Sequence, residues 1–457
     1  MLLDHTHMKT FLDWSAYQDA GQGDAYADIP KTGGDFAKAV AVCINSRACE
    51  ANHEKTVMCP SYRVTSDAHL STGGRVRLLK AALNGELGDK PFADPVLGRA
   101  MDLCVSCKGC KRECENEVDM ALIKIEYLAQ RTAQNGLSPR ARLFALLPVW
   151  LHRWPWLGSL IVWRNQSAVL ASWGEKLLGV SARRRLPVPA AASFREPSAK
   201  PTDAADAAEA REVVLWVDTF SRYFEPDIAD AALAVLQAAG YRALIAAPAA
   251  ETERPLCCGR TWLAQGMVAE AQAEARRTLA ALLPHAEAGR PIIGLEPSCL
   301  LALRDEYKAL GLGEAALKVA RQALLFEEFL AKELSAKTLR LTLKPLAGQS
   351  GPMLVHGHCH QKAAGAMKSM RKVLKLVPGL SFELVEASCC GMAGSFGLEA
   401  EHADIALEMA GQALLPKLRD APQAVLLANG FSCRQQIHDA DGRKPAHLAQ
   451  ILRDALV

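Results

Sequence analysis

Four cysteines at a fixed spacing constrain this chain more than any other feature. Cys104, Cys107, Cys110 and Cys114 form a C-x2-C-x2-C-x3-C run. This spacing lets one tight loop present three thiolates to three irons of a cubane, while the fourth cysteine ligates a second cluster. A zinc ribbon is the alternative, but zinc sites usually come as two separated C-x2-C pairs. The run therefore predicts a 4Fe–4S cluster and a partner run elsewhere in the chain.

The partner run lies upstream and has lost one cysteine. Cys43 and Cys49 keep the first and third positions, and Ser46 stands at the second. Cys59, followed by Pro60, comes after a gap of nine residues. Because the fourth cysteine of each run ligates the other cluster, one complete 4Fe–4S cluster is predicted. Its ligands are Cys59, Cys104, Cys107 and Cys110.

The other predicted cluster site has only three thiolates, from Cys43, Cys49 and Cys114. This set fits a 3Fe–4S cluster, a cubane with Ser46, water or another non-thiolate ligand, or a vestigial site. The spacing leaves these alternatives open.

Two Cys-Cys-Gly motifs recur in the C-terminal half. Cys257 and Cys258 precede Gly259 in the first copy, and Cys389 and Cys390 precede Gly391 in the second. A later cysteine follows at a similar distance in each, 41 residues on at Cys299 and 43 residues on at Cys433. The pairing predicts an internal duplication.

Apolar strand-like runs alternate with helical patterns around both motifs, which is typical of βαβ units on a parallel sheet. The predicted strands are 213–217, 243–247, 292–295, 353–356, 382–385 and 425–428, and the helical patterns are 228–239, 263–283, 366–377 and 405–418. The predicted fold class is therefore α+β and α/β, with a helical N-terminal iron–sulfur domain followed by two duplicated α/β Cys-Cys-Gly domains. The predicted units are a ferredoxin-like domain (1–135), a Trp-rich amphipathic helical segment (136–186), a linker (187–210), a first Cys-Cys-Gly repeat (211–345) and a second repeat (346–457).

Open α/β sheets place their sites at the carboxyl ends of strands, so the cysteines of both repeats are candidate metal ligands. The candidates are Cys359, Cys389, Cys390 and Cys433 in the second repeat, and Cys257, Cys258 and Cys299 in the first. In the first repeat Asp218 stands where Cys359 stands in the second. The alternative is that these cysteines are small buried hydrophobic residues.

Titratable residues surround Cys359 at alternating positions: His356, His358, His360 and Lys362. On an extended backbone they would point to one face. That face could meet a quinone, a flavin or an anionic substrate.

Composition excludes several other classes of protein. A formal charge of +3 is too small to indicate a nucleic-acid partner, and 14 cysteines without a secretory signal favour thiolate ligands over disulfides. No apolar run reaches the 18 residues that a membrane span requires, so we expect a cytoplasmic protein. The tryptophans and arginines of residues 136–186 favour amphipathic helices that either pack on a neighbouring domain or lie peripherally on the inner face of the membrane.

In combination these motifs resemble the iron–sulfur subunits of glycolate oxidase and anaerobic glycerol-3-phosphate dehydrogenase and the C-terminal half of fused FAD-linked D-2-hydroxy acid dehydrogenases. More distantly, they resemble the Cys-Cys-Gly component of heterodisulfide reductase. The motifs that carry the likeness are Met58–Arg63, Cys104–Cys114, Asp218–Phe220, Glu296–Cys299, His356–Lys362 and Cys389–Gly394. The resemblance implies an oxidoreductase component that transfers electrons from a flavin towards a membrane quinone or a similar acceptor, with FAD on a partner chain.

The sequence departs from these families at Glu115, which replaces a proline, at Ser46, and at three positions where heterodisulfide reductase has further cysteines. Those positions are Asp218, Ala302 and Gln436. The leading hypothesis is an electron-transfer subunit of an FAD-dependent 2-hydroxy acid dehydrogenase. The alternatives are a thiol/disulfide oxidoreductase similar to heterodisulfide reductase and a non-catalytic metal-binding scaffold.

Overall fold

The computed structural model describes residues 8–24, 27–51, 56–196, 211–250, 253–348 and 351–457, which fold mainly as helices around two small parallel sheets. The predicted mixture of helical and α/β structure is confirmed. The predicted linker, 187–210, lies outside the described residues from residue 197 onwards. Its described part has neither helix nor strand, and it buries Phe194 in the core of the first α/β unit.

The N-terminal domain places its cysteines in loops between short helices. These helices are α1 (Gly34–Ala41), α2 (Pro60–Thr65), α3 (Thr72–Leu83), α4 (Pro95–Asp102), α5 (Gly109–Glu113) and α6 (Met120–Asn135). Ser71, Asp94 and Asp119 accept hydrogen bonds from first-turn amides of α3, α4 and α6. Such caps satisfy amides that have no partner within the helix. The helix starts next to the cysteine loops are thereby fixed.

The Trp-rich segment contains four helices. They are α7 (Pro139–Ala145), α8 (Leu147–Arg153), α9 (Leu157–Gln166) and α10 (Ala168–Leu178). The segment docks on the second α/β unit, where Ser181 N donates to Leu398 O over 2.8 Å and Ala400 N donates to Gly179 O over 2.9 Å. None of the helices in the described ranges combines the length and the hydrophobicity of a transmembrane span.

Residues 211–335, called here the first α/β unit, contain a parallel sheet with the strand order β2-β1-β3-β4. The strands are β1 (Arg211–Trp216), β2 (Tyr241–Ile245), β3 (Ile292–Gly294) and β4 (Ala323–Leu325). The helices are α11 (Thr219–Tyr223), α12 (Pro226–Ala238), α13 (Arg260–Leu263), α14 (Val268–Glu287), α15 (Pro297–Arg304), α16 (Glu306–Ala309), α17 (Gly313–Gln322) and α18 (Phe326–Ser335). Leu215 of β1 pairs with Ile245 and Ile293 on its two sides.

Residues 353–454, called here the second α/β unit, contain a smaller parallel sheet with the order β6-β5-β7. Its strands are β5 (Met353–Val355), β6 (Phe382–Leu384) and β7 (Leu426–Leu427). Its helices are α19 (Cys359–Ala363), α20 (Met367–Leu374), α21 (Ala403–Gly411), α22 (Leu414–Asp420), α23 (Phe431–Asp441) and α24 (Leu448–Asp454). The first three strands of each unit therefore have the same spatial order, second–first–third.

Hydrophobic contacts join all three units. One buried cluster includes Phe36 of the N-terminal domain and Trp262 of the first α/β unit. A second includes Leu215 and Met370, from the two α/β units. A third brings residues of the N-terminal cysteine loop against the second α/β unit. The loop that carries Cys107 is consequently packed against the loops that carry Cys359 and Cys389.

Acid is expected to loosen the junction between the two α/β units through His447. Its Nε2 lies 3.2 Å from Leu295 O and its Nδ1 accepts from Ala449 N over 3.0 Å, so the neutral ring fits both partners. Burial, and then the charge of Arg434, lower the pKa of His447 to about 3. A histidine with a lowered folded-state pKa stabilises the fold above about pH 6.5, and this stabilisation is lost as the pH falls towards 3.

We therefore expect wild type to lose about 2 kcal/mol more stability than His447→Gln between pH 7.5 and pH 5. Urea-unfolding midpoints at the two pH values measure the difference. The half-buried His438 provides the control, and His438→Gln should follow wild type. If His447→Gln and wild type lose the same stability between the two pH values, protonation of His447 does not cause the loss in acid.

Candidate metal centres

The complete cluster site predicted from the spacing forms one cavity. Cys59, Cys104, Cys107 and Cys110 all line it, and each is at most 9% exposed. Cys59 arrives from the loop before α2, and the others from the loop between α4 and α5. Four thiols from two chain segments, converging on one enclosed space, fit the thiolate set of a 4Fe–4S cluster.

Left-handed backbone conformations shape these loops. Cys59, Ser106 and Lys108 have φ values of 52°, 47° and 60°. Such values are uncommon for residues other than glycine and cluster at functional sites. Gly109 is needed because a Cβ there would lie 2.8 Å from Met58 N, so the two loops could not approach each other.

Neighbouring side chains hold the Cys59 loop in place. The Glu113 carboxylate accepts hydrogen bonds from Val57 N over 2.8 Å and from Met58 N over 2.9 Å. The Cys59 Sγ lies 3.1 Å from both the amide nitrogen and the hydroxyl of Thr72. Neither Glu113 nor Thr72 was predicted from the sequence. Glu113 lies inside the cysteine run, but its position in the sequence does not indicate which residues it contacts.

Burial keeps most of these thiols protonated in the absence of a metal. It raises the pKa of Cys59 to about 11 and raises those of Cys107 and Cys110 well above the usual value. Burial also opposes ionisation of Cys104, but Arg75 and Lys124 outweigh it and lower its pKa. Metal binding must displace these protons, and buried Arg75 places a compensating charge beside the cavity.

The three remaining N-terminal cysteines lie together nearer the surface. Cys43, Cys49 and Cys114 are each half-buried. Burial raises the pKa of Cys43, and the nearby Cys114 and Cys49 thiols oppose its ionisation further. Cys49 Sγ accepts from Gly73 N over 3.3 Å. Ser46, at the missing cysteine position, is exposed.

The second α/β unit gathers its four candidate cysteines at the carboxyl edge of its sheet. Cys359 follows β5, Cys389 and Cys390 follow β6, and Cys433 lies in the first turn of α23 after β7. All four are buried, and their pKa values are raised, for Cys359 by its hydrogen bond to Cys389 and by burial. The structure thus brings together the thiols predicted to bind metal there.

The prediction that four titratable residues share one face is wrong, because residues 359–363 form α19 rather than extended chain. His358 Nδ1 caps that helix by accepting from His360 N over 3.1 Å. His360 Nε2 lies 2.9 Å from Ser106 O, and Lys362 Nζ donates to Ala387 O. Of the four, His356 lies beside Cys390 and Cys433. Burial lowers its pKa well below the usual value and keeps the ring neutral.

Gly430 leaves room for this site. A Cβ there would lie 2.3 Å from His358 Cδ2 and 3.3 Å from Cys433 Sγ. Gly430→Ala is therefore expected to destabilise the protein by about 1–3 kcal/mol through overpacking, measured as a lower melting temperature. Gly411→Ala is the matched control, because no atom lies within 4 Å of its Cβ position. A Gly430→Ala melting temperature equal to that of the control would refute the steric argument.

The first α/β unit has an equivalent but smaller set of thiols. Cys258 Sγ lies 3.1 Å from Cys299 Sγ, and Cys257 is buried beside them. Asp218, at the position of Cys359, instead caps α11: it accepts from Phe220 N over 2.8 Å and from the Ser221 hydroxyl over 2.7 Å. Burial raises the pKa of Asp218 to about 6.

The N-terminal cavity and the thiols of the second unit are in direct contact. Cys107, Cys359 and Cys389 belong to one buried cluster, and burial followed by the nearby Cys359 thiol raises the pKa of Cys107. The Val57 carbonyl accepts from Cys107 Sγ over 3.7 Å and from Ser388 Oγ over 2.8 Å. The thiols of the two sites therefore lie next to each other in the buried interior.

The basic residues beside the cysteine run dock the domains. Lys108 Nζ contacts Asp305 over 2.6 Å and Glu306 over 2.7 Å. Glu306 also pairs with Arg260, whose charge acts on the thiols of both α/β units. Lys111 likewise pairs with Asp305. These charges are therefore largely compensated by carboxylates of the first α/β unit.

Comparison with protein families matches two parts of the chain. A family described as 4Fe–4S dicluster domain matches residues 39–118, which contain all seven N-terminal cysteines. A family described as cysteine-rich domain matches residues 353–438, which contain the four cysteines of the second unit.

Three relatives illustrate the similarity. D-2-hydroxyglutarate dehydrogenase of Escherichia coli is 24% identical over 91% of this chain, which spans only 43% of that protein. The glycolate oxidase iron–sulfur subunit of Escherichia coli is 24% identical over 90% of this chain and 94% of its own length. A subunit of the anaerobic glycerol-3-phosphate dehydrogenase of Escherichia coli is 24% identical over 54% of this chain and 59% of its own length. The chain thus spans less than half of the dehydrogenase and almost the whole iron–sulfur subunit of glycolate oxidase.

Proposed function

We propose that this chain, which carries a 4Fe–4S dicluster domain and a cysteine-rich domain, is the iron–sulfur electron-transfer subunit of an FAD-dependent 2-hydroxy acid dehydrogenase. The substrate is of the D-lactate, glycolate or D-2-hydroxyglutarate class, and its oxidation takes place at FAD on a partner chain. Electrons pass from the flavin through this chain towards a quinone or another acceptor.

The convergence of four thiols on one cavity carries this proposal. Cys59, Cys104, Cys107 and Cys110 hold the 4Fe–4S cluster, which supplies one-electron redox chemistry when bound. Arg75 and Lys124 offset the charge of the thiolates. The surrounding side chains exclude water from the cavity, and Glu113 keeps the Cys59 loop in register.

The thiols of the α/β units provide further centres in this proposal. We take the two units as duplicated copies, since the first three strands of each share one spatial order. Cys359, Cys389, Cys390 and Cys433 bind a metal or iron–sulfur centre next to Cys107. Cys257, Cys258 and Cys299 form a smaller equivalent in the first copy, and Cys43, Cys49 and Cys114 hold a second N-terminal cluster with three thiolates.

The Trp-rich segment gives the chain a surface suited to the inner face of a membrane. Trp156, Trp163 and Trp173 are 56–63% exposed, and Leu177 is 75% exposed. Residues 136–186 contain eight basic side chains against a single acidic one, Glu175. Exposed aromatic and aliphatic side chains within a cationic segment match the interface of an anionic bilayer. Docking there places the chain beside a membrane quinone.

Flotation with vesicles tests the membrane surface. The wild-type chain should float with phosphatidylglycerol vesicles, less at high salt, and a variant with Trp156, Trp163 and Trp173 changed to serine should not. Val96→Ser combined with Val425→Ser changes exposed apolar residues elsewhere and should float like wild type. If the tryptophan variant floats as well as wild type, the proposed membrane-binding surface is refuted.

Anaerobic purification tests the proposed function itself. We expect co-purification with a flavoprotein, iron and sulfide in the chain, and a 4Fe–4S paramagnetic signal that appears when the 2-hydroxy acid is added to the complex. Stoichiometric zinc without iron would refute the proposal. Reduction of a disulfide without any flavoprotein would favour the thiol/disulfide oxidoreductase instead.

A further inference from the structure

The buried imidazole of His356 forms no hydrogen bond within the described part of the chain. It is 3% exposed, and neither ring nitrogen has a hydrogen-bond partner among the described residues. Burying a polar group without a hydrogen bond typically costs about 1–3 kcal/mol. The buried His447, in contrast, has a partner for each nitrogen. Packing alone therefore does not account for a histidine at position 356.

The ring of His356 lies among thiols. One of its nitrogens and the Sγ atoms of Cys390 and Cys433 all lie within 4.8 Å of one another. Two donors on one tetrahedral zinc, with Zn–S bonds of about 2.3 Å and Zn–N bonds of about 2.0 Å, lie roughly 3.5–3.8 Å apart. Small side-chain rotations would bring the three donors onto one ion.

We infer that His356 is a metal ligand, and that with Cys390 and Cys433 it forms a mixed imidazole–thiolate site for a soft divalent ion, zinc or ferrous iron. Either Cys359 or Cys389, which lie next to each other, supplies a third thiolate. This inference rests on the proposed metal centre of the second unit and specifies its ligands. The donors follow β5, β6 and β7, so three neighbouring strands present them to one point.

Nearby cations offset the charge of the mixed site. A divalent ion with three thiolates and one neutral imidazole carries a single negative charge. The charge of Lys362 acts on all four thiols of this unit, and those of Arg260, Arg184 and Arg434 act on Cys359, Cys390 and Cys433, respectively. Buried charges are costly unless they are paired, so these cations support thiolate ligands at this position.

Metal analysis of the full-length chain tests the inference. The variants are His356→Ala, His356→Cys and, as a control at a half-buried histidine, His438→Ala. We expect His356→Ala to weaken retention of the metal beyond the N-terminal clusters at least ~10-fold against a chelator. His356→Cys should restore retention, and His438→Ala should behave like wild type.

A spectroscopic measurement on the wild-type chain keeps the test independent of variant folding. With Co²⁺ as the probe, pulsed EPR should detect nitrogen coupling from one directly bound imidazole, and optical spectra should show thiolate-to-cobalt bands. Absence of nitrogen coupling, or unchanged metal retention in His356→Ala, would overturn the inference. The signal of the N-terminal 4Fe–4S cluster reports on the proposed function separately, because none of its ligands is changed.

Discussion

Cys59→Ala is expected to abolish the 4Fe–4S signal of the reduced protein and, with it, electron transfer through the chain. Cys59 is the ligand that comes from outside the cysteine run, and its thiol lines the same cavity as those of Cys104, Cys107 and Cys110. Removal of one of four thiolates opens the cluster to solvent and to loss of iron. EPR of the dithionite-reduced protein, with iron and sulfide analysis, measures the effect.

Cys43→Ala is the matched control, since Cys43 belongs to the other N-terminal site. The 4Fe–4S signal should survive this change, whereas iron assigned to the three-thiolate site should fall. The opposite pattern, with loss of the signal in Cys43→Ala and retention in Cys59→Ala, would show that the thiols are divided between the clusters in another way.

Glu306→Gln is expected to destabilise the protein by about 3 kcal/mol. Glu306 is 2% exposed and pairs with both the buried Lys108 and the half-buried Arg260, so the amide would leave two cations short of a counter-charge. Removing one partner of a buried ion pair typically costs about 3–5 kcal/mol, and Asp305 compensates Lys108 in part. The midpoint of urea unfolding measures the loss.

The exposed pair of Arg183 and Asp404 provides the control for this change. Asp404→Asn makes the same carboxylate-to-amide substitution where both side chains are in water, and exposed pairs contribute little to stability. We expect no measurable shift in the midpoint. A Glu306→Gln midpoint equal to that of Asp404→Asn would mean that the network does not hold the N-terminal domain on the first α/β unit.

Much of the fold could be predicted because the central strands are short apolar runs between helical patterns. The predicted runs at 213–217, 353–356 and 425–428 each fall within two residues of an observed strand end. β4 was not predicted, because Ala323–Leu325 lies directly between two helices and its composition does not distinguish it from them. The predicted helix 405–418 is interrupted between α21 and α22.

The candidate ligands could be predicted from spacing, but their surroundings could not. The spacing of the cysteines specifies which thiols one loop can present to a cluster. Because the fourth cysteine of each run ligates the cluster of the other run, Cys59 is predicted as the fourth ligand of the complete site. Glu113, Arg75 and Glu306 act through partners distant in sequence, and no local pattern indicates such partners. The alternation around Cys359 was misleading because His358 caps a helix there.

The carbonyl of Val57 has a consequence for how this protein is made. It accepts hydrogen bonds from Cys107 and from Ser388, which is 331 residues further along the chain. The loop that precedes Cys59 therefore acquires this contact only after the ribosome has passed residue 388. We expect a polypeptide that ends before residue 388 to hold this loop less firmly than a polypeptide that includes it.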